Sequence, residues 1–167
     1  RSSGAGDFSD IKIHNNSVYG EKDHANGFKF DSCSNVDIRN NILQLKDAYL
    51  VGASSTSITS DYNMFISNKS NAFYAGTYAT FSQWQNKGYD KHSKYGDPKF
   101  TDPGNKDLTL QSDSPAIDAG ETLGQTQDVG LDPDTNFPHT VKTVEQDKFG
   151  SWEMGAYVYR SGEPPAA

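Results

Sequence analysis

Apolar and polar residues alternate in short runs along the first half of the chain, and the runs recur. Ile11-Lys-Ile13-His-Asn15-Asn16-Ser-Val18, Val36-Asp-Ile38-Arg-Asn40-Asn41-Ile42-Leu43 and Ile58-Thr-Ser60-Asp-Tyr62-Asn63-Met64-Phe65 align, starting 25 and then 22 residues apart. Each copy is followed by a second alternating run: Gly27-Phe28-Lys29-Phe30-Asp31, Ala48-Tyr49-Leu50-Val51-Gly52 and Asn71-Ala72-Phe73-Tyr74-Ala75. Alternation with period two, bounded by turn-forming residues, predicts short strands. One such unit cannot bury its own apolar face. Stacking the units at the ~4.8 Å strand spacing gives a continuous interior and pairs the backbone groups of neighbouring copies. The Asn pairs mark a tight bend, because Asn tolerates the left-handed backbone such a bend requires. Stacked Asn amides can also bond from one copy to the next. The third copy has Tyr62 in place of the first Asn, so the ladder is expected to end there.

The second half reads differently. Thr80 with Gln83 three residues on forms a capping box, and Gly88 can end a helix, so a short helix is expected over about 81–87 with Phe81 and Trp84 on one face. Beyond it come Asp97-Pro98-Lys99-Phe100, Ser114-Pro115-Ala-Ile-Asp118-Ala-Gly120 and Glu153-Met154-Gly155-Ala-Tyr157.

Composition narrows the picture. The 167 residues suit one structural domain, divided into repeats over 1–79, a closing segment over 80–159 and a linker over 160–167. Only 34% of the residues are apolar, but nine Tyr, nine Phe and two Trp supply buriable area, and 15 Gly favour a turn-rich, all-β chain. The net charge of −7, with no basic run among aromatics, argues against nucleic acid as a partner. No run approaches the ~18 apolar residues of a membrane span, so no membrane insertion is expected. Cys33 stands alone and no His pair has ligand spacing, so neither a disulfide framework nor a dedicated metal site is expected.

The repeats, followed by the Ser-Pro-Ala-Ile-Asp-Ala-Gly and Gly-Ala-Tyr motifs, resemble the pectate-lyase-like right-handed parallel β-helix proteins over about residues 8–159. Lys99 between Pro98 and Phe100, and Glu153-Met154-Gly155 in the usual Asp-Ile-Gly place, are departures from that pattern. The resemblance implies an all-β fold of about three rungs of right-handed parallel β-helix, one short helix, and a strand-and-loop cap closing the exposed end. It implies the C-terminal portion of an extracellular or cell-surface polysaccharide-degrading protein. A polysaccharide lyase, a glycoside hydrolase and an archaeal disaggregatase are the parents it suggests. In that reading the segment stabilises the coil, contacts polysaccharide, and lacks a complete active site of its own. A structural or adhesive surface module is the alternative, and so is a carbohydrate-binding module. The latter would need a row of exposed aromatics, and none stands at rung spacing. The first rung begins within ten residues of the N-terminus, so missing N-terminal rungs or a partner chain are expected to cover that end.

Candidate site residues follow from the same alternation. With Phe28 and Phe30 inward, Lys29 and Asp31 face outward, where His24 and Asp47 can rim a groove for substrate. The position stacked on this outward row in the next repeat is expected to be Leu50. On the other strands Lys12, His14, Asp37, Arg39, Thr59 and Asp61 form a mixed-charge ladder, expected to be a solvated face. No catalytic residue is assigned and no cofactor is evident. The Asp128–Asn136 run offers oxygen ligands that would suit Ca2+, although turn formation explains the same residues.

Overall fold

The computed structural model describes residues 8–54, 57–135 and 139–161, apart from the side chains of residues 24 and 25. Strand is the predominant regular structure of the described residues, with a single α-helix of six residues, and the fold is all-β. Strands β1 (Phe8–His14), β3 (Cys33–Arg39) and β5 (Ile58–Asp61) pair in parallel, each repeat beside the next. Ile11 lies opposite Val36 and Val36 opposite Ile58, as the repeat alignment requires. A second sheet joins β2 (Ser17–Asp31) to β4 (Ile42–Ser54), and β4 to β6 (Met64–Ile66) and β7 (Phe73–Ala75), all in parallel. There β8 (Thr77–Ala79) turns back antiparallel on β7. Between the two sheets Val36, Ile38, Leu43, Leu50, Val51, Phe65 and Phe73 form a core, each side chain contributing about 1.5–3 kcal/mol by leaving water.

The bend after each first strand divides its two jobs between two residues. Asn15, Asn40 and Tyr62 take the left-handed backbone, with φ of 55°, 55° and 56°. The residues after them form the ladder: Asn16 Nδ2 donates to Asn41 Oδ1 at 3.0 Å, and Asn41 Nδ2 to Asn63 Oδ1 at 3.0 Å. The ladder therefore does not end at Tyr62, because the bonding amide belongs to Asn63. It runs on to Asp90, whose Oδ1 accepts Asn63 Nδ2 at 2.9 Å. Tyr62 bears an uncommon conformation for a bulky residue and is braced by stacking on His92, with ring centroids 4.8 Å apart.

Helix α1 (Phe81–Asn86) seals the far end of the core. Its capping box forms as the sequence predicts: Thr80 Oγ1 accepts the Gln83 N–H at 3.3 Å and Gln83 Oε1 accepts the Thr80 N–H at 3.0 Å. Trp84 is fully buried and stacks on Phe73 and Tyr89, and its Nε1–H donates to Asp90 Oδ2 at 2.6 Å.

The rest of the closing segment does not lie across the end of the repeats, as expected, but along their flank. β9 (Lys94–Tyr95) adds in parallel to β6, and two antiparallel pairs follow: β10 (Phe100–Asp102) with β11 (Asp107–Leu110), and β12 (Val129–Leu131) with β13 (Thr143–Glu145). The physical reason lies at the bend. After the Asn pair both Ile42 and Leu43 are buried, as are Met64 and Phe65, which breaks the alternation. Leu43 and Phe65 enter the first core. Ile42 and Met64 point to a second, built with Phe100, Leu110, Ala116 and Met154. Gly155 sits against Ile42 and Ser17, where an added Cβ would lie 2.7 and 2.8 Å from their side-chain atoms. Its N–H donates to Asn40 O at 2.7 Å. Of the expected Gly-Ala-Tyr strand, an isolated bridge between Tyr157 and Leu131 is what forms. Arg160, placed at the start of the linker by the sequence, is instead anchored by an ion pair with Asp132 and by packing over the Phe149 ring.

At the opposite end Phe8 and Ser9 continue β1, pairing with Cys33 and Ser34 rather than folding across the core. Ile11, Ile13 and Val18 stay partly exposed, whereas their partners Val36, Ile38 and Leu43 are buried. Residues 1–7, on which the expectation for this end partly falls, lie outside the described residues.

Candidate functional site

Two outward faces carry polar chemistry. On the β1–β3–β5 sheet the expected rows form, Lys12–Asp37–Thr59 and His14–Arg39–Asp61. The face is not simply solvated, however. His14 is only 10% exposed at its side chain, and its Nε2 lies 2.9 Å from Asp37 Oδ2. Asp37 also accepts Arg39 Nε at 2.8 Å, and Arg39 pairs with Glu121. The Asn40 amide holds the Glu121 backbone in both directions, donating to its carbonyl and accepting its N–H at 2.8 Å each. This network fastens the closing segment to the repeats, which is why these charges are half-buried.

The other face belongs to β2, β4 and β7, and there the chain leaves an open cleft of about 340 Å³. Its floor follows from register. Phe28, Val51 and Phe73 stack inward, so the outward row is Lys29, Gly52 and Tyr74. The residue beside Lys29 is thus Gly52, not Leu50, which is fully buried. The offset between β2 and β4 falls from 25 residues at Gly20–Leu45 to 24 at Asp23–Asp47 and settles at 23 by Phe28–Val51, whereas Leu50 beside Lys29 would have needed an offset of 21. Such irregularities shift which residues share a row. Because Gly52 has no side chain, the row is hollow between a lysine and a tyrosine.

Aromatic rings wall the hollow. Tyr49 and Tyr78 stack with centroids 5.0 Å apart, and Tyr74 lies 5.0 Å from Tyr78 at 60°. Tyr78 is 58% exposed. Hydrogen bonding with the neighbouring Tyr49 pushes the Tyr78 phenol up from its ordinary pKa of 10.0. Asn26 and Ser54 complete the lining together with Phe28, which packs against the core but is only partly buried and so also borders the cleft.

Of the four sequence-predicted site residues, Lys29 lies in the lining and Asp31 is paired to it from outside the lining. Lys29 Nζ lies 3.6 Å from Asp31 Oδ2 in an exposed ion pair. Asp47 is not in the lining. It stands 4.0 Å from Lys69 Nζ, which lies 4.4 Å from the Tyr49 ring centroid, so it reaches the cleft through that lysine. The side chain of His24 lies outside the described residues. The three tyrosines were missed because they do not stand at repeat spacing: Tyr49 is in register with Asn26, Tyr74 with Gly52, and Tyr78 arrives by the β7–β8 turn. An available signal was the Tyr74-Ala-Gly-Thr-Tyr78 run, whose Gly76 has a φ of 74°, suited to a tight turn between the half-buried Tyr74 and the exposed Tyr78.

The candidate calcium loop is occupied by its own bonds. Asp132 Oδ1 accepts the Asp134 N–H at 2.9 Å and its other oxygen pairs with Arg160, while Asp128 Oδ1 accepts the Asp147 N–H at 3.2 Å. Asn136 lies outside the described residues. Among the described residues no group of three or more His, Cys, Asp or Glu side chains could hold a metal ion, and no helix is long and apolar enough to cross a membrane. No family model, curated protein or solved structure matches the chain.

Proposed function

We propose that this chain is the C-terminal portion of a right-handed parallel β-helix in an extracellular or cell-surface polysaccharide-handling protein, and that it contacts glycan through the tyrosine cleft. The parallel register of three repeats, 25 and 22 residues apart, supports the β-helix reading. The observation that carries the functional reading is the convergence of Tyr49, Tyr74 and Tyr78 around the side-chain-free Gly52, with Asn26, Lys29 and Ser54 at the edges. A sugar ring presents an apolar C–H face and a rim of hydroxyls. Tyrosine offers the matching surface, an apolar ring with a wet hydroxyl, and a few polar groups around such a pocket fix orientation.

The cleft is a contact surface rather than a catalytic centre in this reading. Glycoside hydrolysis commonly needs two carboxyl groups flanking the bond. Here Asp31 and Asp47 are each paired with a lysine, Lys29 and Lys69, and neither carboxylate lines the cleft.

The test fills the hollow. Gly52 has no positive φ, and an added Cβ would meet Tyr74 Cβ at an ordinary 3.8 Å, so Gly52→Leu is expected to fold. It should abolish binding on a glycan array, and Tyr78→Ala should weaken it at least about tenfold. Glycan binding that survives both variants would place the contact elsewhere.

A further inference from the structure

Resting on the glycan reading above, we infer that the cleft is built for neutral sugars and discriminates against acidic ones, because Lys29 in its lining and Lys69 over its Tyr49 wall each lie beside a carboxylate. Lys29 sits 3.6 Å from Asp31, and Lys69, laid over the Tyr49 ring, sits 4.0 Å from Asp47. An uncompensated ammonium would attract a sugar carboxylate at contact distance. A carboxylate already beside it cancels most of that attraction, and the chain's net charge of −7 adds a repulsive background. An acidic sugar entering the cleft therefore gains little field and still loses hydration.

A neutral sugar meets a different surface. The Lys29–Asp31 pair presents a donor and an acceptor side by side, which matches two vicinal hydroxyls, each able to donate and accept. Asn26 adds an amide with both capacities. The rings of Tyr49 and Tyr78, stacked at 5.0 Å, make an apolar wall whose attraction needs no ligand charge. Binding that rests on such contacts should be nearly indifferent to ionic strength.

The experiment titrates the protein by calorimetry, without calcium, with cellohexaose, xylohexaose and mannohexaose as neutral probes and hexagalacturonate as the acidic one. At least one neutral probe should bind about tenfold more tightly than hexagalacturonate, and its affinity should change less than about twofold between about 20 and about 300 mM NaCl. The variant Asp31→Asn, at an exposed position, unmasks Lys29. It should raise hexagalacturonate affinity about fivefold at low salt while leaving the neutral probes within about twofold. Tighter wild-type binding of hexagalacturonate than of every neutral probe, or a uronate affinity unmoved by Asp31→Asn, overturns the selectivity alone. Silence with all four probes, identical in wild type and Gly52→Leu, overturns the glycan reading and the selectivity with it.

Discussion

Glu153 is where a departure from the expected motif has a measurable consequence. Its side chain is 1% exposed, its Oε1 accepts the Tyr159 N–H at 3.1 Å, and its Oε2 has no partner. Burial, with nearby Asp118 adding to it, pushes the carboxyl from its ordinary 4.5 up to about 7. The folded state thus holds the proton more tightly than the unfolded chain does. Stability is fully present below 4.5, where both states are protonated, and is lost as pH rises through about 7, where the folded carboxylate must ionise in a dry site. Linkage between these two values gives a loss of about 2.5 kcal/mol between about pH 5 and about pH 8. Glu153→Gln keeps an acceptor for Tyr159 and cannot ionise. Urea unfolding followed by tryptophan fluorescence, with buried Trp152 next in sequence, should show the variant about 2.5 kcal/mol more stable relative to wild type at the higher pH than at the lower. Burial also pushes Asp90 upward, but that group is present in both proteins and cancels in the difference. A gap between variant and wild type that stays constant with pH would refute the argument.

Three other outcomes follow from the packing. Asn41→Ala removes the central amide of the ladder, breaking its bonds to Asn16 and Asn63, and should cost about 2–4 kcal/mol in chemical denaturation. Trp84→Phe keeps most of the buried ring but deprives Asp90 of one of its four side-chain donors, and should cost about 1–3 kcal/mol by the same assay. Gly155→Ala strains a φ of 104° and drives a methyl to within 2.7 Å of Ile42, so it should lower the melting temperature far more than Gly124→Ala, where φ is similar but nothing stands within 4 Å.

The parts of this molecule legible in the sequence are those governed by local rules. Alternation placed the repeats, and the capping box placed α1 to within a residue. The Asn pairs located the bends, though not the division of labour that lets Tyr62 replace Asn40 without breaking the ladder. What escaped depends on register and on distant chain. Two one-residue slips along β2 bring the offset to 23 and put Gly52 beside Lys29, whereas aligning the second runs gives 21, and alternation does not separate the two because they differ by an even number of residues. The course of the closing segment was hidden likewise. The signal was the consecutive burial of Ile42-Leu43 and Met64-Phe65, which needs apolar surface on both sides of the strand and so a second core.

The cleft and the cap are mechanically one system. Tyr74 and Tyr78 stand on the β7–β8 hairpin, whose antiparallel strands are three residues each, too short to hold a wall for a ligand unaided. Helix α1 supplies the support. Lys87 Nζ donates to Thr77 Oγ1 at 2.8 Å and to the Ala75 carbonyl at 3.3 Å, at the turn between the two tyrosines. Trp84 stacks on Phe73 at 5.3 Å, on the inward side of the same strand. Trp84 in turn is tied through Asp90 to Asn63 and so to the amide ladder of all three repeats. Contact surfaces bind better when their geometry is fixed before the ligand arrives, since ordering them afterwards consumes affinity. The ladder, the buried aspartate and the helix thus brace the hairpin that carries two of the three tyrosines, so a residue that only closes the core also sets how firmly the cleft wall is held.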